Sequence, residues 1–125
     1  MIQTLLVVAG GGLGAGMRHL ASTAALRLLG PGFPLGTAFV NILGSFLMGV
    51  LVELLARKFG MSQQWRLFLA TGFLGGFTTF SSFSLDAVNL IDRGALALAF
   101  LYVAGSVILG IAGLFAGLAL VRAVL

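Results

Sequence analysis

Two rows of polar side chains lie at helical spacing inside long apolar stretches of the sequence. Thr37, Asn41 and Ser45 follow one another at intervals of four residues, and Tyr102 and Ser106 repeat that interval. Residues four apart share one face of a helix, so each row forms a polar stripe. Polar groups inside hydrocarbon are costly and are functional candidates. Interhelical hydrogen bonding is the structural alternative, but two parallel stripes favour a lined pathway.

The segment from Gly72 to Ser84 has an unusual composition, because glycine, threonine and serine are interleaved with phenylalanine. A glycine pair followed by the β-branched pair Thr78-Thr79 is a poor helix interior, which predicts a break. A break at membrane depth frees backbone carbonyls that must be buried and satisfied. Such carbonyls could hold a cation, and two copies related by a two-fold axis would form a closed cage of oxygens.

Phe77, Phe80 and Phe83 recur at every third position of the same segment. An aromatic packing stripe is the ordinary explanation of such a row. The alternative uses the ring quadrupole, because the edge of an aromatic ring is electropositive. Ring edges, hydroxyl protons and the amide of Asn41 are all positive ends, and together they suit a small anion better than a cation.

Arg18 is the basic residue that lies well inside an apolar stretch, with His19 beside it. An arginine so placed can extend its head group to the membrane interface. The functional alternative is an electropositive vestibule that draws anions toward a pore. We interpret His19 as a residue of the lipid interface rather than a ligand or a proton relay.

Enzymatic chemistry finds no support in the sequence. It contains no G-x-x-x-x-G-K-[ST] motif for nucleotide-driven pumping, no zinc-binding spacing and no nucleophile elbow. Ser, His and Asp residues do not form a set that a small helical bundle would assemble. The sequence therefore predicts a protein that is not an enzyme.

Four apolar stretches must position these residues, and each is long enough to cross about 30 Å of hydrocarbon. They cover residues 2–29, 35–59, 65–90 and 95–125, and glycine stands beside every break between them. The stretches are continuous and do not alternate, which favours helices over a β-barrel. We predict an all-α membrane protein with one domain, residues 1–125. Its four transmembrane helices would have the third broken near the membrane midplane.

The composition agrees with a protein made largely of membrane spans. Hydrophobic residues make up 60% of the 125 residues and charged residues 8%, and the mean hydropathy is +1.18. Soluble domains carry about 25% charged residues, so a soluble globular fold is excluded. The net charge of +4 comes from scattered basic residues, and without a basic patch we expect no nucleic-acid partner.

Glycine and charge carry two further predictions. Several of the 19 glycines lie at the small-xxx-small spacing that lets membrane helices pack closely: Gly10–Gly14, Gly12–Gly16, Gly72–Gly76 and Gly113–Gly117. Four basic residues fall on the side of the termini, and two or three fall on the other side: Arg57, Lys58, Arg66 and Arg122 against Arg27 and Arg93, with Arg18 buried above them. So weak a bias permits insertion in both orientations, and therefore an antiparallel homodimer.

Four pieces of the chain resemble the Fluc (CrcB) family of fluoride channels. They are Gly14–Arg18 in the first stretch, Gly36–Phe46 in the second, Gly72–Ser84 in the third, and Tyr102 with Ser106 in the fourth. The third piece is long and odd in composition, so chance agreement is excluded. The resemblance covers essentially the whole chain.

The resemblance implies a function and an assembly. Members of this family form antiparallel, dual-topology homodimers with two pores near the subunit interface. They pass fluoride passively, reject chloride and lower the fluoride concentration in the cytoplasm. A structural sodium ion, which is not transported, lies at the dimer centre. The implied location is the inner or plasma membrane of a bacterium or other microbe, crossed several times by each chain within the lipid bilayer.

The resemblance also assigns roles to residues of this sequence. The backbone carbonyls of Gly75 and Thr78 would bind the sodium ion, and Arg18 would lie in the vestibule. Asp86 stands near the entrance, where the family usually has a glutamate. Nine residues would form the fluoride pathway: Asn41, Phe80, Phe83, Thr37, Thr79, Ser81, Ser82, Tyr102 and Ser106.

The sequence departs from the family pattern at two positions. Gly110 stands where related chains often have a serine, and Ser82 stands where they usually have a threonine.

A proton-coupled four-helix exporter has a similar length, but it depends on an acidic residue in the first span, where this chain has Arg18. A non-transporting accessory subunit would explain the glycines but not the polar stripes. Pairing with a second chain as a heterodimer is also open.

Overall fold

The computed structural model describes residues 1–57 and 62–125, which form helices joined by short loops with no strand in those ranges. We number the helical elements in chain order as α1 (Ile2–Leu29), α2 (Leu35–Arg57), α3 (Gln63–Arg66), the π-helix π1 (Leu67–Leu74), α4 (Gly75–Phe77), α5 (Phe80–Asp92) and α6 (Leu96–Val124). α3, π1 and α4 follow one another without a gap. Together with α5 they form the third stretch, residues 63–92. The predicted all-helical class is confirmed.

Within residues 1–57 and 62–125, two helices are long and apolar enough to cross a membrane by length and composition, namely α2 and α6. α1 has 28 residues and is about 42 Å long, but its glycines and the pair Arg18-His19 make it less apolar. The third stretch is divided into segments that are each shorter than a span. Four transmembrane helices therefore stay a prediction.

The helix boundaries agree with the predicted stretches to within a few residues. α1 matches its predicted range, whereas the third stretch begins at Gln63 and ends at Asp92 rather than spanning 65–90. The earlier start follows from Ser62, whose side chain accepts a hydrogen bond from the Trp65 N–H and caps the helix. Some predicted features lie outside the described residues: Lys58, the end of the second stretch at residue 59, and the break residues Gly60 and Met61.

α1 packs closely against the first half of the third stretch. A Cβ on Gly14 would overlap the Phe73 carbonyl oxygen, and a Cβ on Gly76 would overlap the carbonyl oxygen of Gly11. The predicted glycine pairs in α1 and in the third stretch therefore act as packing surfaces. The Gly12–Gly16 pair does not, because nothing of this chain lies within 4 Å of either position. That pair faces away from the other helices of the chain, so its role in helix packing stays a prediction.

α2 and α6 form the second close pair. A Cβ on Gly117 would overlap the carbonyl oxygen of Phe46, and a Cβ on Gly49 would overlap that of Leu114. At one end of this pair, Glu53 is buried and accepts hydrogen bonds from Arg122 Nε at 2.7 Å and from Arg57 Nε at 3.3 Å. α2 also contacts α1, and α6 contacts α5, so the two pairs form one bundle.

The bundle buries only a small core. Ala87 and Leu90 of α5 pack against Ala99 and Tyr102 of α6, with Phe33 of the α1–α2 loop beside them. Many large apolar side chains on the outer faces of the helices are exposed, as expected of a protein whose surroundings are apolar.

Candidate pore and cation site

The third stretch is broken at Thr78 and Thr79. α4 ends at Phe77, both threonines have extended backbone with ψ of 158° and 120°, and α5 begins at Phe80. The break falls after the Gly75-Gly76 pair rather than at it, and these glycines remain helical. The predicted break is present, and its position is that of the β-branched pair.

Threonine hydroxyls satisfy part of the backbone at the break. Thr78 Oγ1 donates to the Leu74 carbonyl at 3.0 Å, alongside the Thr78 backbone N–H at 3.1 Å. Thr79 Oγ1 accepts from the Ser82 N–H at 3.2 Å and so caps the first turn of α5. Thr79 Oγ1 also lies 3.2 Å from the exposed Ser81 hydroxyl.

Asn41 of α2 bonds both backbone groups of Thr79. Its Oδ1 accepts from the Thr79 N–H at 2.7 Å, and its Nδ2 donates to the Thr79 carbonyl at 3.0 Å. This pair replaces bonds that an unbroken helix would have made. One of the two Nδ2 hydrogens remains for another acceptor.

Arg18 of α1 reaches the other side of the break. Its Nε donates to the Gly76 carbonyl oxygen at 3.1 Å, while the side chain stays half-buried. The guanidinium therefore bonds an oxygen at the C-terminal end of α4, where peptide dipoles give a partial negative charge.

The break separates the three phenylalanines that are regularly spaced in sequence. Phe77 is buried and stacks on Phe73, with ring centroids 6.0 Å apart. Phe80 and Phe83 form a second pair with centroids 5.7 Å apart, and the Phe83 ring lies 5.1 Å from that of Tyr102. One ring therefore belongs to the core, and the other two lie beside the polar residues.

A cleft of about 360 Å³ brings together most of the predicted site residues. Its wall includes the side chains of Asn41, Thr79, Phe80, Phe83 and Ser106. Gly75 and Thr78, the predicted cation ligands, line the same cleft. The cleft lies open, and the Phe80 side chain is 77% exposed. Ser81 and Ser82 are adjacent in sequence but do not line it.

Thr37 lies in a different place, although it shares the helix stripe of Asn41. It lines a second cavity of about 590 Å³, between the α1–α2 loop and the end of α5, together with Asp86. Tyr102 is buried and donates from its hydroxyl to Asp86 Oδ2 at 3.1 Å. The sequence did not assign four other polar residues of this cavity to a site: Ser22, Asn89, Asp92 and Arg93.

The backbone of the cleft fits a cation better than its side chains do. In residues 1–57 and 62–125, no three His, Cys, Asp or Glu side chains come together as a metal site. Over the same ranges, the carbonyls of Gly75 and Thr78 accept no hydrogen bond from a side chain or from loop backbone. Both lie near the C-terminal end of a helix, which favours positive charge.

Comparison with known proteins identifies the family. Residues 5–118 match the family described as "CrcB-like protein, Camphor Resistance (CrcB)". Because the match covers most of the chain, the protein belongs to the CrcB family of membrane proteins, and the resemblance in its sequence is confirmed.

Individual relatives agree over nearly their whole length. The chain is 57% identical over 122 residues to the "Fluoride-specific ion channel FluC" of Agrobacterium fabrum, covering 98% of each. It is 60% identical over 120 residues to a protein of that name from Rhodopseudomonas palustris, covering 96% of this chain and 97% of the relative. A third, from Chelativorans sp., is 58% identical over 125 residues and covered completely. These names describe a channel, and the prediction of a protein that is not an enzyme is confirmed.

Proposed function

We propose that this protein is a passive, fluoride-selective channel that exports fluoride and lowers its concentration in the cytoplasm. The observation that carries the proposal is the 360 Å³ cleft, in which an amide, a ring pair and a hydroxyl converge at a helix break. The names of the full-length relatives point to the same ion.

The chemistry of the cleft suits a small, strongly hydrated anion. Such an ion must exchange its water for close donors, and several donors of moderate strength allow entry without trapping. Asn41 has one free N–H, Ser106 offers a hydroxyl, and Phe80 and Phe83 offer ring edges. Thr79, Ser81 and Ser82 would act close to the break, and Arg18 would attract anions toward it.

Thr37 and Tyr102 would extend the pathway beyond the cleft. Tyr102 is buried between the Phe83 ring and the Asp86 carboxylate, and Thr37 lines the cavity that also contains Asp86. In the proposed pathway, Ser106, Tyr102 and Thr37 form a polar track that leads from the cleft toward the second cavity.

We propose four membrane spans per chain and an antiparallel homodimer in a bacterial inner membrane. α1 and the third stretch complement α2 and α6, because each is long enough to cross about 30 Å of hydrocarbon. The open side of the cleft, with Phe80 and Ser81 exposed, is where a second copy would complete each of two pores.

We also propose a structural sodium ion, bound by the carbonyls of Gly75 and Thr78 from both copies. Three observations support this site: within the described residues neither carbonyl accepts a hydrogen bond from a side chain or from loop backbone, Gly75 is exposed, and a helix C-terminus lies nearby. When bound, the ion would add a fixed positive charge between the two chains.

Fluoride efflux from liposomes tests the channel proposal. Purified protein is reconstituted with internal potassium fluoride, and a fluoride electrode records release after a potassium ionophore is added. We expect rapid release that depends on the membrane potential, with chloride retained in a parallel experiment. Protein-free liposomes are the control, and absence of fluoride release by folded, dimeric protein would contradict the proposal.

Labelling of single cysteines tests dual topology. The natural chain has no cysteine, so Gln3→Cys introduces a unique thiol near the start of α1. If the chain inserts both ways, a membrane-impermeant maleimide labels about half of the molecules in sealed vesicles. Labelling of nearly all or nearly none of them, against complete labelling in detergent, would show one orientation and overturn the antiparallel dimer.

A further inference from the structure

Three of the six backbone carbonyls from Leu74 to Thr79 accept a hydrogen bond from a side chain. The Gly76 oxygen accepts from Arg18 Nε at 3.1 Å, and the Thr79 oxygen accepts from Asn41 Nδ2 at 3.0 Å. The Leu74 oxygen is bonded within its own turn. The donors from residues 18 and 41 come from two different helices and flank the break on both sides.

The other three carbonyls belong to Gly75, Phe77 and Thr78. Gly75 and Thr78 line the cleft, whereas Phe77 is buried and does not. The carbonyls that lack a side-chain donor and also line the cleft are therefore those proposed to bind sodium. The two bonded neighbours, Gly76 and Thr79, alternate with them along the chain.

We infer that Arg18 and Asn41 are positioning residues of the cation site, which fix the backbone of the break and thereby the positions of the Gly75 and Thr78 carbonyls beside the cleft. This inference rests on the sodium site proposed above. It gives Arg18 a role that depends on hydrogen-bond geometry, in addition to any attraction of anions.

The physical reason lies in the planarity of the peptide unit. A carbonyl that loses its donor inside a membrane must find another partner, because unsatisfied backbone groups are costly there. Turning the Gly76 or Thr79 peptide plane toward a new donor also changes the dihedral angles of its neighbours. The oxygens of Gly75 and Thr78 would then leave the arrangement that suits the ion.

The charge of Arg18 makes the inference testable, because loss of this charge and loss of the hydrogen bond are expected to change sodium affinity in opposite directions. The Arg18 guanidinium repels a cation, so removing its charge alone should strengthen sodium binding. Removing a donor that positions the site should instead weaken it. Glutamine separates the two effects, since its Nε2 follows Cδ in the side chain as Nε does in arginine but carries no charge.

The first experiment compares two substitutions of Arg18. Equilibrium binding of radioactive sodium is measured on purified protein for the wild type, Arg18→Gln and Arg18→Met. We expect Arg18→Gln to bind sodium within about three-fold of the wild type and Arg18→Met to bind it about ten-fold more weakly. Arg27→Met, an exposed position of α1, is the matched control and should leave binding unchanged.

The second experiment removes both bonds of Asn41 without changing charge. Asn41→Leu should weaken sodium binding about ten-fold or more, because both backbone groups of Thr79 lose their partner. Val52→Ala is the control, since Val52 also lies on α2 but is 48% exposed and lines neither the cleft nor the second cavity. Size-exclusion chromatography checks that each variant keeps the assembly of the wild type.

The outcomes separate this inference from the proposed channel. Equal binding by Arg18→Gln and Arg18→Met, or tighter binding by both, would overturn the positioning role. Weak binding by Asn41→Leu with normal binding by Val52→Ala would support it, even if Arg18→Met fails to assemble. A wild type that conducts fluoride but binds no sodium would overturn the cation site and this inference while leaving the channel intact. Sodium binding without fluoride conduction would overturn the channel only.

Discussion

The α2–α6 pair and the third stretch show two uses of close helix packing. Both rely on glycines whose Cβ would overlap a neighbouring backbone, such as Gly117 in α6 and Gly76 in the third stretch. α2 and α6 are uninterrupted, whereas the third stretch contains a π-helix and an extended break. The two regions separate stability from function: an intact pair supports the bundle, and the broken stretch beside it exposes the groups that we propose contact an ion.

The largest expected effect is the loss of fluoride flux when two rings of the broken stretch are replaced. Phe80→Ile combined with Phe83→Ile should abolish fluoride flux, because isoleucine fills space but has no electropositive ring edge. The double variant should still assemble, because isoleucine keeps a large apolar side chain both at position 80, on the side proposed for the second copy, and at position 83, which packs against the core. Fluoride efflux from liposomes measures the effect, and chromatography measures assembly.

Phe115→Ile is the control for this experiment. Phe115 lies on α6, is 63% exposed and does not line the cleft. It should leave flux unchanged, whereas rapid flux through the Phe80/Phe83 double variant would remove the rings from the proposed pathway.

An intermediate effect is expected on the stability of the protein when a glycine of the α2–α6 pair is replaced. Gly117→Ala should destabilise the protein by about 1–3 kcal/mol, because the added Cβ overlaps the Phe46 carbonyl oxygen. Gly105→Ala lies on the same helix with nothing of this chain within 4 Å, and it should change stability by no more than about 0.5 kcal/mol. Denaturant titration in detergent measures both variants. Equal losses would contradict the packing described for α6.

The smallest effect is expected at the end of the α2–α6 pair. Glu53→Gln removes the ion pairs with Arg122 and Arg57 and should lower the melting temperature, more so in low salt than in 1 M salt. Fluoride flux should remain, because none of these residues lines the cleft. Asp92→Asn, an exposed carboxylate at the opposite end, is the control. A melting temperature that shifts equally at both salt concentrations would contradict the electrostatic origin.

The four-residue spacing of polar side chains predicted which of them share a helix face, and within each single helix the structure agrees with that prediction. It could not predict which neighbour each residue meets. Asn41 and Thr37 share a stripe, yet Asn41 bonds the break and lines the cleft while Thr37 lines the second cavity. That difference depends on how α2 crosses the third stretch, which spacing within α2 does not encode.

Composition predicted that the third stretch is broken but did not predict the residue at which the break begins. Glycine and β-branched residues both disfavour helix, so the break was expected anywhere from the pair Gly75-Gly76 to the pair Thr78-Thr79. Gly76 packs against Gly11 of α1 and stays helical, whereas the Asn41 amide bonds the extended backbone of Thr79. The π-helix from Leu67 to Leu74 has no sequence signal of this kind, because its residues also suit an ordinary α-helix.

The electric polarity at the break does not depend on the protonation of side chains. The chain has few side-chain charges, and at the break a helix C-terminus and a helix N-terminus face each other across Thr78 and Thr79. Carbonyl oxygens point from one end and N–H groups from the other, so a negative and a positive field lie close together. Peptide groups neither gain nor lose protons over the physiological pH range. This polarity therefore persists in acid, where carboxylates and histidine change their charge.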